Sequence, residues 1–225
     1  AAILLEDAPR NTAFAVAVAA HHVQAHQGDT MLAFLPADHV IEQKQAWQKA
    51  VCAAAELAQK QNNLALIGME YENFSPELGY MRLEGEKVLS FIEKPESEPK
   101  KTSSEYILAN SGQFIGTSSH FLGLLARNAP EIWASSQESV NLSQIHWEYT
   151  LLASPKLPLS LKSFDKAVLE HTTGLVAVAA HCGWRDLGTQ RDWAEYTGIS
   201  IEEQIARPSR IDRPWGYYEL LEQGE

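Results

Sequence analysis

The sequence predicts an α/β protein, a mostly parallel sheet with helices on both faces, and three observations lead there. Short, nearly uninterrupted apolar runs at 30–35, 64–68 and 175–179 have the composition of strands buried on both sides. Longer stretches with apolar residues at three- and four-residue steps alternate with them, as crossover helices do. The chain has 225 residues, 45% of them hydrophobic, enough to bury a substantial core as one main domain with an appendage.

In order, Ala1 to Leu5 is expected as a buried strand already in progress, followed by a turn over 6–10. From Thr12, the residues Ala13, Val16, Ala17, Ala20 and Val23 line one face of a helix that Gly28 ends, with Asn11 or Thr12 as its cap. Thr30 to Leu35 is a strand closed by Pro36. A second helix buries Ala46, Trp47, Ala50, Val51, Ala54 and Leu57, and Leu64 to Gly68 is strand again. Gly79 to Leu83 and Lys87 to Ile92 are strands joined at Glu84-Gly85, and the polar stretch 95–104 is a surface loop. Helices are expected over 118–127, 130–139 and 189–197, and a strand over 175–179. The segment 141–162 has no clear period, and Pro155 and Pro158 disfavour a long helix in it. The charged stretch 199–225, with its aromatic group at Trp215, Tyr217 and Tyr218, has the look of a linker.

Charge and composition narrow the function. Twenty-nine acidic against 18 basic residues give a net charge of −11, which repels nucleic acid and anionic membranes, so neither is expected as a partner. No apolar run reaches the ~18 residues of a spanning helix and no secretory signal pattern is present, which leads to the expectation of a cytoplasmic protein. Two cysteines, Cys52 and Cys182, are too few for a disulfide framework and lack zinc-site spacing.

Ligands of open α/β sheets bind beyond the carboxyl ends of strands, where Asp38 stands after the 30–35 run. An aspartate there serves as often to cap a helix or form a turn. Asp186 also follows a strand, and two carboxylates from separate strands can hold one octahedral Mg²⁺ together with phosphate oxygens and water. Glu93-Lys94-Pro95 ends another strand: the carboxylate suits sugar hydroxyls and the ammonium a phosphate, although an exposed charge pair before a loop is the plainer account of that tripeptide. His21, His22 and His26 offer a possible metal step without a further ligand, so a solvated helix face is expected. A cysteine hydrolase built on Cys182 with His181 or His39 has little to support it, because sequence neighbours on a strand point to opposite faces.

Taken together and in order, Glu6 to Ala13 (Glu-Asp-Ala-Pro-Arg-Asn-Thr-Ala), Leu35 to Ile41 (Leu-Pro-Ala-Asp-His-Val-Ile), Glu77-Leu78-Gly79-Tyr80, Glu93-Lys94-Pro95, Asn110-Ser111-Gly112, Phe164 to Glu170 and Gly183 to Gly188 resemble the successive motifs of bacterial mannose-1-phosphate guanylyltransferases, a branch of the sugar-phosphate nucleotidyltransferases. The resemblance implies a Rossmann-like nucleotide-diphospho-sugar transferase fold and transfer of GMP from GTP to mannose 1-phosphate, giving GDP-mannose and pyrophosphate. It implies Asp38 and Asp186 as ligands of a catalytic Mg²⁺, and Lys94 on the sugar phosphate. Glu93, Asn110 and the Gly79 backbone would face the hexose with Tyr80 packing beside it, Asp165 would lie on the sugar side, and Arg10, Asn11 and Thr12 near the nucleotide. Gly-x-Gly is absent from the 225 residues, so the family's glycine-rich phosphate loop is not among them. The expectation is therefore a nucleotidyltransferase core over 1–198 lacking its first strand and phosphate loop, and a linker over 199–225 leading to a cupin-type isomerase domain, with self-association expected. A non-catalytic nucleotide-sugar-binding relative is the competing reading. The sugar loop departs from the family pattern at Leu78 and Met81, and Gln113 stands where a methionine is usual.

Overall fold

The computed structural model describes residues 2–147, 149–155 and 161–199. They fall into two compact units, one made of the described residues within 2–37 and 41–184 and one of residues 38–40 and 185–199.

The first unit opens with β1 (Leu4–Leu5) and α1 (Asn11–Gln27), then β2 (Met31–Phe34), α2 (Lys44–Gln61), β4 (Ala65–Met69), β5 (Tyr80–Glu84), β6 (Lys87–Ile92) and β7 (Tyr106–Thr117). The short β3 (His39–Ile41) precedes α2. Helices α3 (Ser118–Asn128) and α4 (Pro130–Asn141) follow, then β8 (Gln144–Ile145), β9 (Thr150–Leu151), α5 (Phe164–Ala167), a 3₁₀ turn (Leu169–His171) and β10 (Val176–Ala180). Strand β11 (Trp184–Asp186), which pairs with β3, and α6 (Gln190–Thr197) close the described chain.

Six strands form the main sheet in the order β2-β7-β4-β10-β6-β5, with β5 also pairing β7. Helices cover both faces, as expected. Along β4 and the residue before it, Leu64 and Leu66 enter the core shared with α1 and α3, while Ala65, Ile67 and Met69 enter the core under α2. This alternation between two buried faces accounts for the apolar run.

The sheet is nevertheless mixed, which corrects the expectation of a mostly parallel one. β4 and β10 run parallel, but β7 lies antiparallel to β2, β4 and β5, and β6 is antiparallel to β5 and β10. Burial on both faces produces an uninterrupted apolar strand in either direction, so the run does not encode strand polarity. Direction is set by connections, and here the β5–β6 hairpin, turning at Gly85 with φ +57°, leads into the long antiparallel β7.

Three further differences are local. β1 is two residues long and pairs parallel to β9 in a separate three-stranded sheet, with Ile3 59% and Leu5 44% exposed, so the opening run is not a buried strand among the described residues. Neither Asn11 nor Thr12 caps α1: both lie within the helix, which follows Arg10 without a side-chain cap, and Asn11 Oδ1 accepts only the adjacent Thr12 N–H at 2.7 Å while the Thr12 hydroxyl accepts the Phe164 N–H at 2.9 Å. The sequence also gives no signal for β7 as a strand, because its centre is the polar stretch Asn110-Ser111-Gly112-Gln113. The proposed linker beyond Ile199, with Trp215, lies outside the described residues. No helix of the described residues is long and apolar enough to cross a membrane.

Candidate functional site

A polar cluster in the first unit forms where β6 and β7 leave their regular pairing. The register of β7 on β4 jumps from Gln113, opposite Ile67, to Asn110, opposite Gly68. Ser111 and Gly112 fill the gap: Ser111 Oγ donates to the Ile67 carbonyl at 2.6 Å, and Gly112 takes φ +68° with its N–H on Asn110 Oδ1 at 3.2 Å. The bulge thereby aims Asn110. Its backbone N–H donates to the Gly79 carbonyl at 2.8 Å and its side-chain amide to Asp165 Oδ1 at 2.8 Å.

Asp165 stands in the first turn of α5, which the Ser163 hydroxyl caps by accepting the Lys166 N–H at 3.2 Å. The Thr12 hydroxyl on Phe164 ties this helix to the start of α1. Burial pushes the Asp165 carboxyl upward against the opposing effects of its backbone and Asn110 hydrogen bonds.

Glu93 follows directly on β6. Its carboxylate closes over Gly79: a Cβ on that glycine would stand 2.7 Å from Glu93 Oε2 and 3.2 Å from Phe91 Cζ, so a side chain there would displace the Glu93 carboxylate. Burial first, then the charge of Asp165, raises the Glu93 pKa to about 7. At neutral pH this group can both donate and accept hydrogen bonds, as sugar hydroxyls require.

Lys94 has φ +48°, a left-handed conformation that costs a non-glycine residue roughly 1–2 kcal/mol and that Pro95 further disfavours. Its ammonium rests on Glu77 Oε2 at 3.4 Å with both side chains exposed, a weak pair that an incoming phosphate can replace. The Glu93 N–H donates to Glu170 Oε1 at 3.0 Å.

Tyr80 is fully buried, its hydroxyl accepting the Ser75 N–H at 2.8 Å and donating to the Ser75 carbonyl at 3.0 Å, with Tyr71 and Phe74 against its ring. It anchors the loop that leads to Gly79. Arg10 pairs with Asp7 and, at 3.6 Å, Glu6, and lies over the Phe14 ring. Asn11 Nδ2 reaches the Leu161 carbonyl at 3.4 Å. The three residues expected near a nucleotide thus gather at the start of α1.

The second unit contains a separate group. One ligand atom each from Asp38, His39 and Asp186 lie within 4.8 Å of one another. Backbone contacts hold the arrangement: Leu187 N–H donates to the Asp38 carbonyl at 3.0 Å and Gly188 N–H to Asp186 Oδ1 at 2.8 Å. Burial lowers the His39 pKa while both aspartates oppose it. Two carboxylates are hard oxygen donors of the kind Mg²⁺ takes, with its remaining positions open to phosphate oxygens and water.

The sequence assigns no role to Glu77 or Glu170 and weighs His39 only as a partner for Cys182, not beside Asp38 and Asp186. Each lies inside or beside a quoted motif, but nothing in the spacing sets it apart. The expectation of a solvated histidine face on α1 is corrected at His21, which is buried with its Nε2 3.2 Å from the Trp133 carbonyl, because it lies on the helix face turned to the core; His26 Nδ1 meets the His22 carbonyl at 2.8 Å, and Cys182 is buried beside Met69 with its thiol pKa raised by burial.

A mixed sheet with helices on both faces, with Glu93 and Asn110 gathered at Gly79 and Asp165 bonded to Asn110, defines an α/β protein. The family described as Nucleotidyl transferase matches residues 1–200, and the chain belongs to it. The xanthan biosynthesis protein XanB of Xanthomonas campestris pv. campestris is 34% identical over 212 residues, covering 90% of this chain and 44% of that protein. A putative mannose-1-phosphate guanylyltransferase of Vibrio cholerae is 35% identical over 213 residues, covering 89% and 44%. Among solved structures, a mannose-6-phosphate isomerase from Helicobacter pylori superposes with a TM-score of 0.70 at 29% identity, covering 82% of this chain and 74% of that one. The chain spans less than half the length of the curated relatives it matches.

Proposed function

We propose that the chain carries the nucleotidyl-transfer site of a mannose-1-phosphate guanylyltransferase, joining GMP from GTP to mannose 1-phosphate and releasing pyrophosphate. The observation that carries this reading is the approach of Glu93 and Asn110 to Gly79, with Asp165 bonded to Asn110 and Lys94 next to Glu93. Glu93 and Asn110, with the Gly79 backbone, bind hexose hydroxyls, Asp165 orients Asn110, and Lys94 exchanges Glu77 for the sugar phosphate. Tyr80 supports the hexose side by holding its loop. Arg10, Asn11 and Thr12 serve the nucleotide side.

A phosphate oxygen of mannose 1-phosphate attacks the α-phosphorus of GTP in line, the bond to the β-phosphate bridging oxygen breaks, and pyrophosphate leaves. The protein contributes orientation and charge neutralisation, with no covalent nucleophile. Asp38 and Asp186 would hold Mg²⁺, which when bound would supply Lewis-acid neutralisation of phosphate oxygens. The names of the relatives and the donor chemistry of the two aspartates support this assignment.

The test is Mg²⁺-dependent pyrophosphate release from GTP and mannose 1-phosphate by the purified chain, with Asp186→Asn as control. Release that the substitution reduces by at least 100-fold is expected. A folded, monodisperse sample that binds GDP-mannose without turnover would replace the proposal with a nucleotide-sugar-binding role.

A further inference from the structure

The two residues placed on the sugar phosphate share a corner that the chain does not favour by itself. Glu93 ends the regular run of β6, Lys94 takes a left-handed φ of +48°, and Pro95 follows. Pro95 has no N–H to donate. The corner's backbone is tied by the Glu93 N–H, whose acceptor comes from 77 residues further along the chain: Glu170 Oε1, at 3.0 Å. Glu170 lies in the 3₁₀ turn that directly follows α5, the helix bearing Asp165. One short segment therefore supplies both the carboxylate that engages Asn110 and the carboxylate that holds the Glu93 backbone.

We infer that Glu170 is a positioning residue: its carboxylate, on the Glu93 amide, sets the corner from which Glu93 and Lys94 are presented to a sugar phosphate. The inference rests on reading this cluster as the sugar-phosphate site. Glu170 touches no reacting atom and acts through the Glu93 backbone. It also faces the Glu93 side chain electrostatically, together with Asp165 and Lys166 from α5 and with Lys94, and its negative charge is one of the influences that keep Glu93 protonated to higher pH.

Two variants separate geometry from charge. Glu170→Gln keeps an oxygen acceptor for the Glu93 N–H and removes the charge, whereas Glu170→Ala removes both. Mannose 1-phosphate binding is measured by calorimetry, and the Glu93 amide proton and side-chain carboxyl carbon are followed by NMR over pH 4–9, with the fold of each variant checked from its amide spectrum. Glu170→Ala is expected to weaken binding about fivefold, the worth of one net hydrogen bond, and to shift the Glu93 amide upfield. Glu170→Gln is expected to bind within about twofold of the wild type, since it retains the acceptor, while its Glu93 carboxyl titrates at lower pH because one neighbouring negative charge is gone.

A purely structural Glu170 would change stability without this split between the variants. The inference is overturned if Glu170→Ala binds mannose 1-phosphate as the wild type does, or if neither variant alters the Glu93 resonances. A wild type that does not bind mannose 1-phosphate would overturn the sugar-site reading instead, and the NMR signals would still report whether Glu170 positions Glu93.

Discussion

Glu93 carries a half-buried carboxyl that closes on Gly79. Its pKa of about 7, against an ordinary 4.5, follows chiefly from lost hydration and next from Asp165. The consequence for stability has a definite sign. The folded state holds the Glu93 proton more tightly than the unfolded chain does, so this residue's contribution is fully present below pH 4.5 and is lost as pH rises to about 7. Glu93→Gln cannot lose that proton. Its melting temperature relative to wild type should therefore climb between pH 4.5 and 7 and level off above; thermal unfolding at pH 4.5, 6 and 8 that shows a constant difference would refute the assignment. The identities of Glu93, Lys94, Asn110 and Asp165 were legible as motif positions, but the titration of Glu93 was not, because it depends on Asp165, which is 72 residues away in sequence.

Among the elements, β7 carries Asn110, which links Gly79 to Asp165. The strand runs for 12 residues, pairing β5 at its start and both β2 and β4 towards its end, and the irregularity on β4 turns Asn110 towards Asp165. Gly112 makes the irregularity possible with φ +68°. Gly112→Ala should destabilise the fold by about 1–2 kcal/mol, the cost of a left-handed residue with a Cβ. It should also weaken mannose 1-phosphate binding more than a comparably destabilising core substitution does, which chemical denaturation paired with calorimetry would measure. The helices were readable because their apolar spacing is local, and α6 even announces its start through Thr189 and Asp192, a reciprocal capping box. β7 was not readable. Its buried polar centre breaks the apolar pattern, and Ser111 and Gln113 find their partners, the Ile67 carbonyl and the Trp47 indole N–H, on distant elements.

At the scale of the whole molecule, the first unit is a sheet with a core on each face. Phe121, on α3, packs with Phe34 and Phe164 in one, and Leu57, on α2, belongs to the other. Both side chains are almost fully buried. Phe121→Ala should cost roughly 3–5 kcal/mol and Leu57→Ala roughly 2–5 kcal/mol. If the two cores share one cooperative transition through β4 and β7, either substitution should lower the hydrogen-exchange protection of the slowest amides in α2 and in α3 by the same amount. Loss confined to the substituted face would mean that the two layers unfold separately.

The sequence by itself determined the α/β class, the main helices, two-faced burial of the sheet and the ordered motifs that place the chain in its family. Those properties are written in local periodicity and in short blocks of residues. Strand polarity, the placement of β7, the close approach of Glu93 to Gly79 and the part played by Glu170 were decided only in the tertiary structure. Each depends on pairing between residues far apart in the chain, where hydrogen-bond geometry and lost hydration act across space and leave no periodic trace in the sequence.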